Sequence, residues 1–206
     1  MIVTGTVPMP RRPVREAYRA DEPRPVSNAR LAILIVIAAE IMFFTGLVGA
    51  YIVFRLSAKA WPPADLPRLP IGITAANTVV LFASLVPMTR ALRGIRRDDR
   101  LGAAHHVMWT AILGAVFLAV QGLEWTRLVA HGLTLSSGTY GSTFYVLIGC
   151  HGLHVLVAVI WLAVVAVLAR NGGFTAARHA ALETCAIYWY LVCGLWAFLF
   201  PLVYLA

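Results

Sequence analysis

The chain has 206 residues, of which 60% are hydrophobic and only 13% charged, with a mean hydropathy of +0.79. Soluble domains run nearer half apolar and a quarter charged, so these figures exclude an ordinary water-soluble globule and make lipid the solvent for much of the surface. The formal charge of +8 raises nucleic acid as a partner, but the placement of the cations along the chain assigns that charge to membrane topology instead.

Residues 1–30 form a charged, Pro-containing tail that is expected to be disordered. The first apolar run then starts at Leu31 and is too long for the apolar core of a signal peptide. Five apolar stretches follow over residues 31–206, at about Leu31 to Leu56, Ile71 to Met88, Ala103 to Thr126, Tyr140 to Ala169 and Ala180 to Leu205. Each is long enough for a helix to cross the roughly 30 Å hydrocarbon layer. A transmembrane barrel would show strands of about ten residues with alternating polarity, and these runs are continuous and longer. The expected fold is therefore all-α, an integral membrane bundle of five helices.

With five spans, the tail, the second connection and the fourth connection share one side. Arg11, Arg12, Arg15, Arg19, Arg24 and Arg30 lie before or at the first helix. Arg90, Arg93, Arg96, Arg97 and Arg100 surround the second connection, and Arg170 and Arg178 flank the fourth. Only Arg55, Lys59, Arg68 and Arg127 fall on the other side. The positive-inside rule then predicts a cytoplasmic N-terminus and a C-terminus on the outer side. Nucleic acid is not an expected partner.

The connections read as turn chemistry. Trp61-Pro62-Pro63 predicts a fixed extended segment with an interfacial Trp. Ser137-Gly138-Thr139 predicts a helix start, and Asn171-Gly172-Gly173 a helix stop. Gly46, Gly49 and Ala50 in the first span, and Gly141, Gly149 and Gly152 in the fourth, predict close helix approach. The cysteines Cys150, Cys185 and Cys193 sit in apolar helix and read as small buried hydrophobes.

Ionisable groups at membrane depth need a partner or a purpose. Glu40 stands about 13 Å into the first span at 1.5 Å per residue, too deep for so short a side chain to reach water. Two readings stay open for it: a proton-handling carboxylate, or a Glu hydrogen-bonded between helices. His151 and His154, three apart on one helix face, are favoured as interhelical hydrogen-bonding groups over metal ligands, because a zinc site needs further ligands at matching depth. Gln121 and Glu124 lie towards the outer end of the third span and Glu183 near the inner start of the fifth. Both carboxylates are expected to reach water or head groups. No catalytic constellation is present in the sequence.

In order along the chain, the landmarks resemble subunit III of the haem–copper cytochrome oxidases. They are Ala39-Glu40-Ile41-Met42-Phe43-Phe44-Thr45-Gly46, Trp61-Pro62-Pro63, Gln121-Gly122-Leu123-Glu124-Trp125, Tyr140-Gly141-Ser142-Thr143-Phe144-Tyr145, Gly149-Cys150-His151-Gly152-Leu153-His154, and finally Phe174-Thr175, Glu183 and Tyr188-Trp189. The resemblance covers about Leu31 to Leu205 and is to the five-helix bacterial form, which lacks two leading helices. It implies an accessory subunit that binds no redox cofactor itself, holds phospholipid, and packs against a catalytic subunit I, with subunit II alongside, in the bacterial cell membrane. Haem and copper would belong to those partners, which reduce oxygen and conserve energy as a proton gradient. Glu40 would match the family's carbodiimide-reactive buried carboxylate. Gln121, Glu124, His151, His154 and Glu183 would form its interhelical polar set. Where the family's last helix reads Trp-His-Phe-Val-Asp, this chain has Trp189-Tyr190-Leu191-Val192-Cys193, so the pairing made by that His and Asp cannot form here. A component of a quinol oxidase or a nitric oxide reductase would share these motifs. Outside the class, the rivals are a proton-coupled transporter using Glu40 and a b-haem anchor using His106 and His179.

Overall fold

The computed structural model describes residues 28–64 and 66–205. The tail expected to be disordered lies outside the described residues, apart from its last three. The described chain is helical, with five helical stretches long and apolar enough to cross a membrane. The first is α1 (Asn28–Ser57). The second comprises α2 (Ile71–Ala83) and α3 (Leu85–Arg96), which meet at Ser84. Then come α4 (Arg100–Ala130), α5 (Gly138–Arg170) and α6 (Ala180–Phe200), the last extended by a π-helical turn, Pro201–Leu205.

The α2–α3 break has a local cause. Pro87 has no N–H to offer the Ala83 carbonyl, which loosens the helix one turn earlier. There the Ser84 hydroxyl folds back to donate to the Leu81 carbonyl. Beyond the break the helix continues well past Met88, through Arg90, Arg93 and Arg96. The apolar run stops at Met88 because α3 turns amphipathic, not because the helix ends: Met88, Ala91 and Ile95 are buried at helical spacing, and the three arginines are exposed.

The stop after α5 follows from glycine. Gly172 has φ +75°, the Gly172 N–H donates to Ala169 O, and the Gly173 N–H donates to Leu168 O at 2.9 Å. These two hydrogen bonds satisfy the last carbonyls of α5 in a Schellman motif, which the left-handed conformation of glycine permits.

Packing is uneven. α4 is the hub, lying against α5, α3 and α2, with α6 against α5, and α1 rests mainly on α6 and α5. Trp189 and Trp196 of α6, Phe117 of α4 and Phe144 of α5 fill the centre. Only Ile33, Phe44 and Tyr51 of α1 are buried. Most of the rest of α1, including Leu34, Ile35, Met42 and Val53, is exposed. A Cβ placed on Gly46 or Gly49 would meet nothing within 4 Å, so these two glycines serve no close approach among the described residues. The tight contacts are elsewhere. Gly141 faces the Thr134 carbonyl and Ser137 Oγ, and Gly114 of α4, which the sequence did not single out, sits directly under the Trp189 ring.

Candidate functional site

Glu40 lies near the middle of α1, on a half-buried strip of that helix. His154 is at the midpoint of α5, one of the two helices on which α1 rests. The two meet: His154 Nε2 stands 2.8 Å from Glu40 Oε2, with each side chain 19% exposed. His154 Nδ1 lies 2.6 Å from the Cys150 carbonyl one turn earlier. A carbonyl can only accept, so Nδ1 carries a hydrogen. Nε2 and Oε2 can then form a hydrogen bond only if a proton sits between them. Either a carboxylic acid donates to a neutral imidazole, or an imidazolium donates to a carboxylate. Both forms have zero net charge, which is what makes an acid at this depth tolerable. The Phe44 ring packs edge-on at 5.2 Å from the imidazole and the Phe43 ring lies at 6.1 Å. They limit water at the pair.

His151 behaves differently from its neighbour. It is 1% exposed and stacks on Trp196, with ring centroids 5.0 Å apart. Neither of its nitrogens has a hydrogen-bond partner among the described residues. Trp196 in turn donates its indole N–H to Thr78 Oγ1 at 2.9 Å, so the stack is held from α2.

The remaining polar residues separate into two groups. Gln121 and Glu124 do not reach water. Glu124 is 2% exposed, because Thr74 of α2 and Tyr204 of the terminal π turn close over it. Thr74 Oγ1 lies 3.1 Å from both carboxyl oxygens. Gln121 Nε2 donates to Glu124 Oε2 at 3.1 Å and to the Tyr204 hydroxyl at 3.2 Å. This corrects the expectation of exposure: residues fifty and eighty positions away in sequence cover the acid. Glu183 lies at the opposite, arginine-rich end. It accepts from Arg96 at 3.1 Å and pairs with His179 at 3.2 Å, with Arg30 at 3.9 Å. His179 Nδ1 is also within 3.3 Å of the Thr175 carbonyl, which leaves neither ring nitrogen idle.

Sequence reasoning missed several partners. Asn77 donates to the Phe117 carbonyl at 3.0 Å, and the Trp189 indole donates to Ser84 Oγ at 3.1 Å. Tyr190, which stands where the resemblance leads one to expect His, takes its own partner, Thr89 Oγ1 of α3, at 3.1 Å. Cys193, in the place of the Asp, is buried beside Ser84. Among the described residues no three His, Cys, Asp or Glu side chains gather closely enough to hold a metal ion.

These features define a multi-pass helical membrane protein with a carboxylate–imidazole pair at mid-membrane and hydrogen-bonded polar side chains linking its helices. A family model described as cytochrome c oxidase subunit III matches residues 13–206. The chain is 35% identical to cytochrome c oxidase subunit 3 of Gadus morhua over 93% of its length and 75% of that protein's. It is 34% identical to cytochrome c oxidase subunit 3 of a Synechocystis species, over 84% of this chain and 73% of that one. It is 33% identical to a heme-copper oxidase subunit I+III of Aeropyrum pernix, covering 91% of this chain and 24% of that one. The chain belongs to the cytochrome c oxidase subunit III family.

Proposed function

We propose that the chain is the accessory subunit III of a bacterial proton-pumping terminal oxidase, bracing a catalytic subunit I and supporting proton uptake into it. The observation that carries this reading is the Glu40–His154 contact, which joins two helices near their midpoints at 2.8 Å, on a helix that is largely uncovered by the other described residues. The Aeropyrum pernix relative, named as a fusion of subunits I and III, supports direct contact with subunit I. Subunit II completes the complex, and haem and copper reside in those partners.

The arginine-rich end faces the cytoplasm of the cell membrane in this reading, as the positive-inside rule requires. Between α1, α5 and α6 on that side lies an open groove of about 420 Å³, lined by Ile33, Val36, Val157, Trp161 and Tyr188 among others. It is apolar, lies one helical turn below Glu40, and suits a phospholipid acyl chain.

The test is chemical. A hydrophobic carbodiimide reaches carboxyl groups from the membrane phase and needs a protonated acid to react. Labelling of the purified complex should concentrate on Glu40, disappear in Glu40→Gln, and slow proton uptake by the wild type. Labelling spread over other carboxyls, or uptake unchanged at full labelling of Glu40, would overturn the proposal.

A further inference from the structure

At the end opposite the arginine-rich one, the segment before α2 and the last turn of α4 enclose a second pocket of about 240 Å³. Its rim carries Arg68, Arg127 and His131, and its walls are Pro67, Pro70, Ile73 and Leu128, with Glu124 at its floor. Both arginines are exposed, and neither guanidinium group makes a hydrogen bond or ion pair among the described residues. At the other end the situation is reversed, with Arg30 and Arg96 both turned on Glu183. Glu124 does not neutralise this rim by contact, since its oxygens are engaged by Thr74 and Gln121, and the Arg127 charge reaches it only through space. His131 adds no acceptor towards the rim at Nδ1, which is bound to the Arg127 carbonyl at 2.7 Å.

Two guanidinium groups with no partner among the described residues, beside an apolar slot, are matched by a ligand that is anionic at one end and oily at the other. Arg68 lies three residues before the first residue of α2 and Arg127 in the last turn of α4, at the ends of their spans, where a bilayer would bring its phosphates. Guanidinium forks bind phosphate oxygens in pairs. Below the rim, Ile73 is 44% exposed and continues the apolar wall towards the hydrocarbon. We propose that this pocket is a specific site for an anionic phospholipid, whose phosphate lies between Arg68 and Arg127 and whose acyl chain runs past Leu128 and Ile73. The inference requires only that the chain crosses a bilayer. It does not depend on the oxidase role or on the groove beside α1.

The experiment uses the intact complex, delipidated in detergent and then given dioleoyl phosphatidylglycerol, dioleoyl phosphatidylcholine or inorganic phosphate. Bound lipid is counted by native mass spectrometry. The wild type should retain one more phosphatidylglycerol than the Arg68→Gln/Arg127→Gln variant. Two arginines at the membrane surface correspond to an affinity about 30-fold weaker in that variant. Lys59→Gln, at a neighbouring exposed cation, should bind as the wild type does, and the double change to Lys should recover part of the loss. Four outcomes overturn the proposal. Retention could be equal in the double Gln variant, or equal for phosphatidylcholine. Inorganic phosphate could displace the lipid, marking a free-anion site. A protein subunit could leave the complex in place of lipid, marking a protein interface.

Discussion

Adding a single methyl group at Gly114 should destabilise the bundle, although alanine is the better helix former. A Cβ at this position would lie 2.6 Å from Trp189 Cη2 and 2.8 Å from Val159 Cγ2. Carbon atoms in contact settle at about 3.5–4.0 Å, so the indole must retreat by about 1 Å. It has nowhere to go. Trp189 is fully buried, and its N–H is held by Ser84 Oγ at 3.1 Å. Overpacking of this kind costs about 1–3 kcal/mol, and breaking a hydrogen bond between membrane helices about 0.6–1.7 kcal/mol. Alanine returns up to about 1 kcal/mol of helix propensity. The clash wins, leaving a net loss of about 1–4 kcal/mol. Thermal unfolding of the purified, detergent-solubilised protein, followed by near-ultraviolet circular dichroism, measures it. Gly122→Ala on the same helix is the control, because a Cβ there meets nothing within 4 Å. Trp189→Phe in the Gly114→Ala background should recover part of the loss by shortening the ring. If Gly114→Ala melts together with Gly122→Ala, the packing argument fails.

Two further outcomes follow from the same geometry. Glu40→Gln should cost under about 1 kcal/mol, because the amide N–H can donate to His154 Nε2, whereas His154→Leu strands the acid and should cost about 1–3 kcal/mol; the reverse order in thermal unfolding would contradict a shared proton. At the arginine-rich end, the Arg100 guanidinium, helped by the Ala176 N–H, holds the Asp98 carboxyl below the usual carboxylate range. A depressed carboxylate stabilises its contacts at neutral pH and releases them as pH falls through the lowered value. Limited proteolysis at residues 171–178 should therefore accelerate below about pH 4 in the wild type, and Asp98→Asn should be cut at the faster rate already at neutral pH.

Length and oiliness alone made the five spans legible, because no other architecture uses such runs. The depth of Glu40 was legible for the same reason, and the stop after α5 because Gly172 offers the left-handed turn that ends a helix. The faces of the helices were not. In water, burial writes a polar–apolar stripe on each helix, but lipid is as apolar as the core, so Leu34 facing out and Phe44 facing in look alike in sequence. Hence Gly46 and Gly49 were read as contact points and Gly114 was passed over. The partner of Glu40 is set by how α1 crosses α5, which no spacing within either helix encodes. The cover over Glu124 likewise comes from Thr74 and Tyr204, brought together only when α2, α4 and the terminal turn close. Where the pattern was local, as for the amphipathic arginines of α3, the information was present, but an apolar threshold cut the helix short at Met88.

The most direct measurement isolates this chain with an affinity tag under mild conditions, identifies the chains that come with it, and records optical spectra before and after they are stripped away. The account predicts copurification of a haem–copper catalytic subunit, with all haem absorption leaving when that subunit is removed. A Soret band retained by the isolated chain, or solute transport by the chain alone in vesicles, would contradict it.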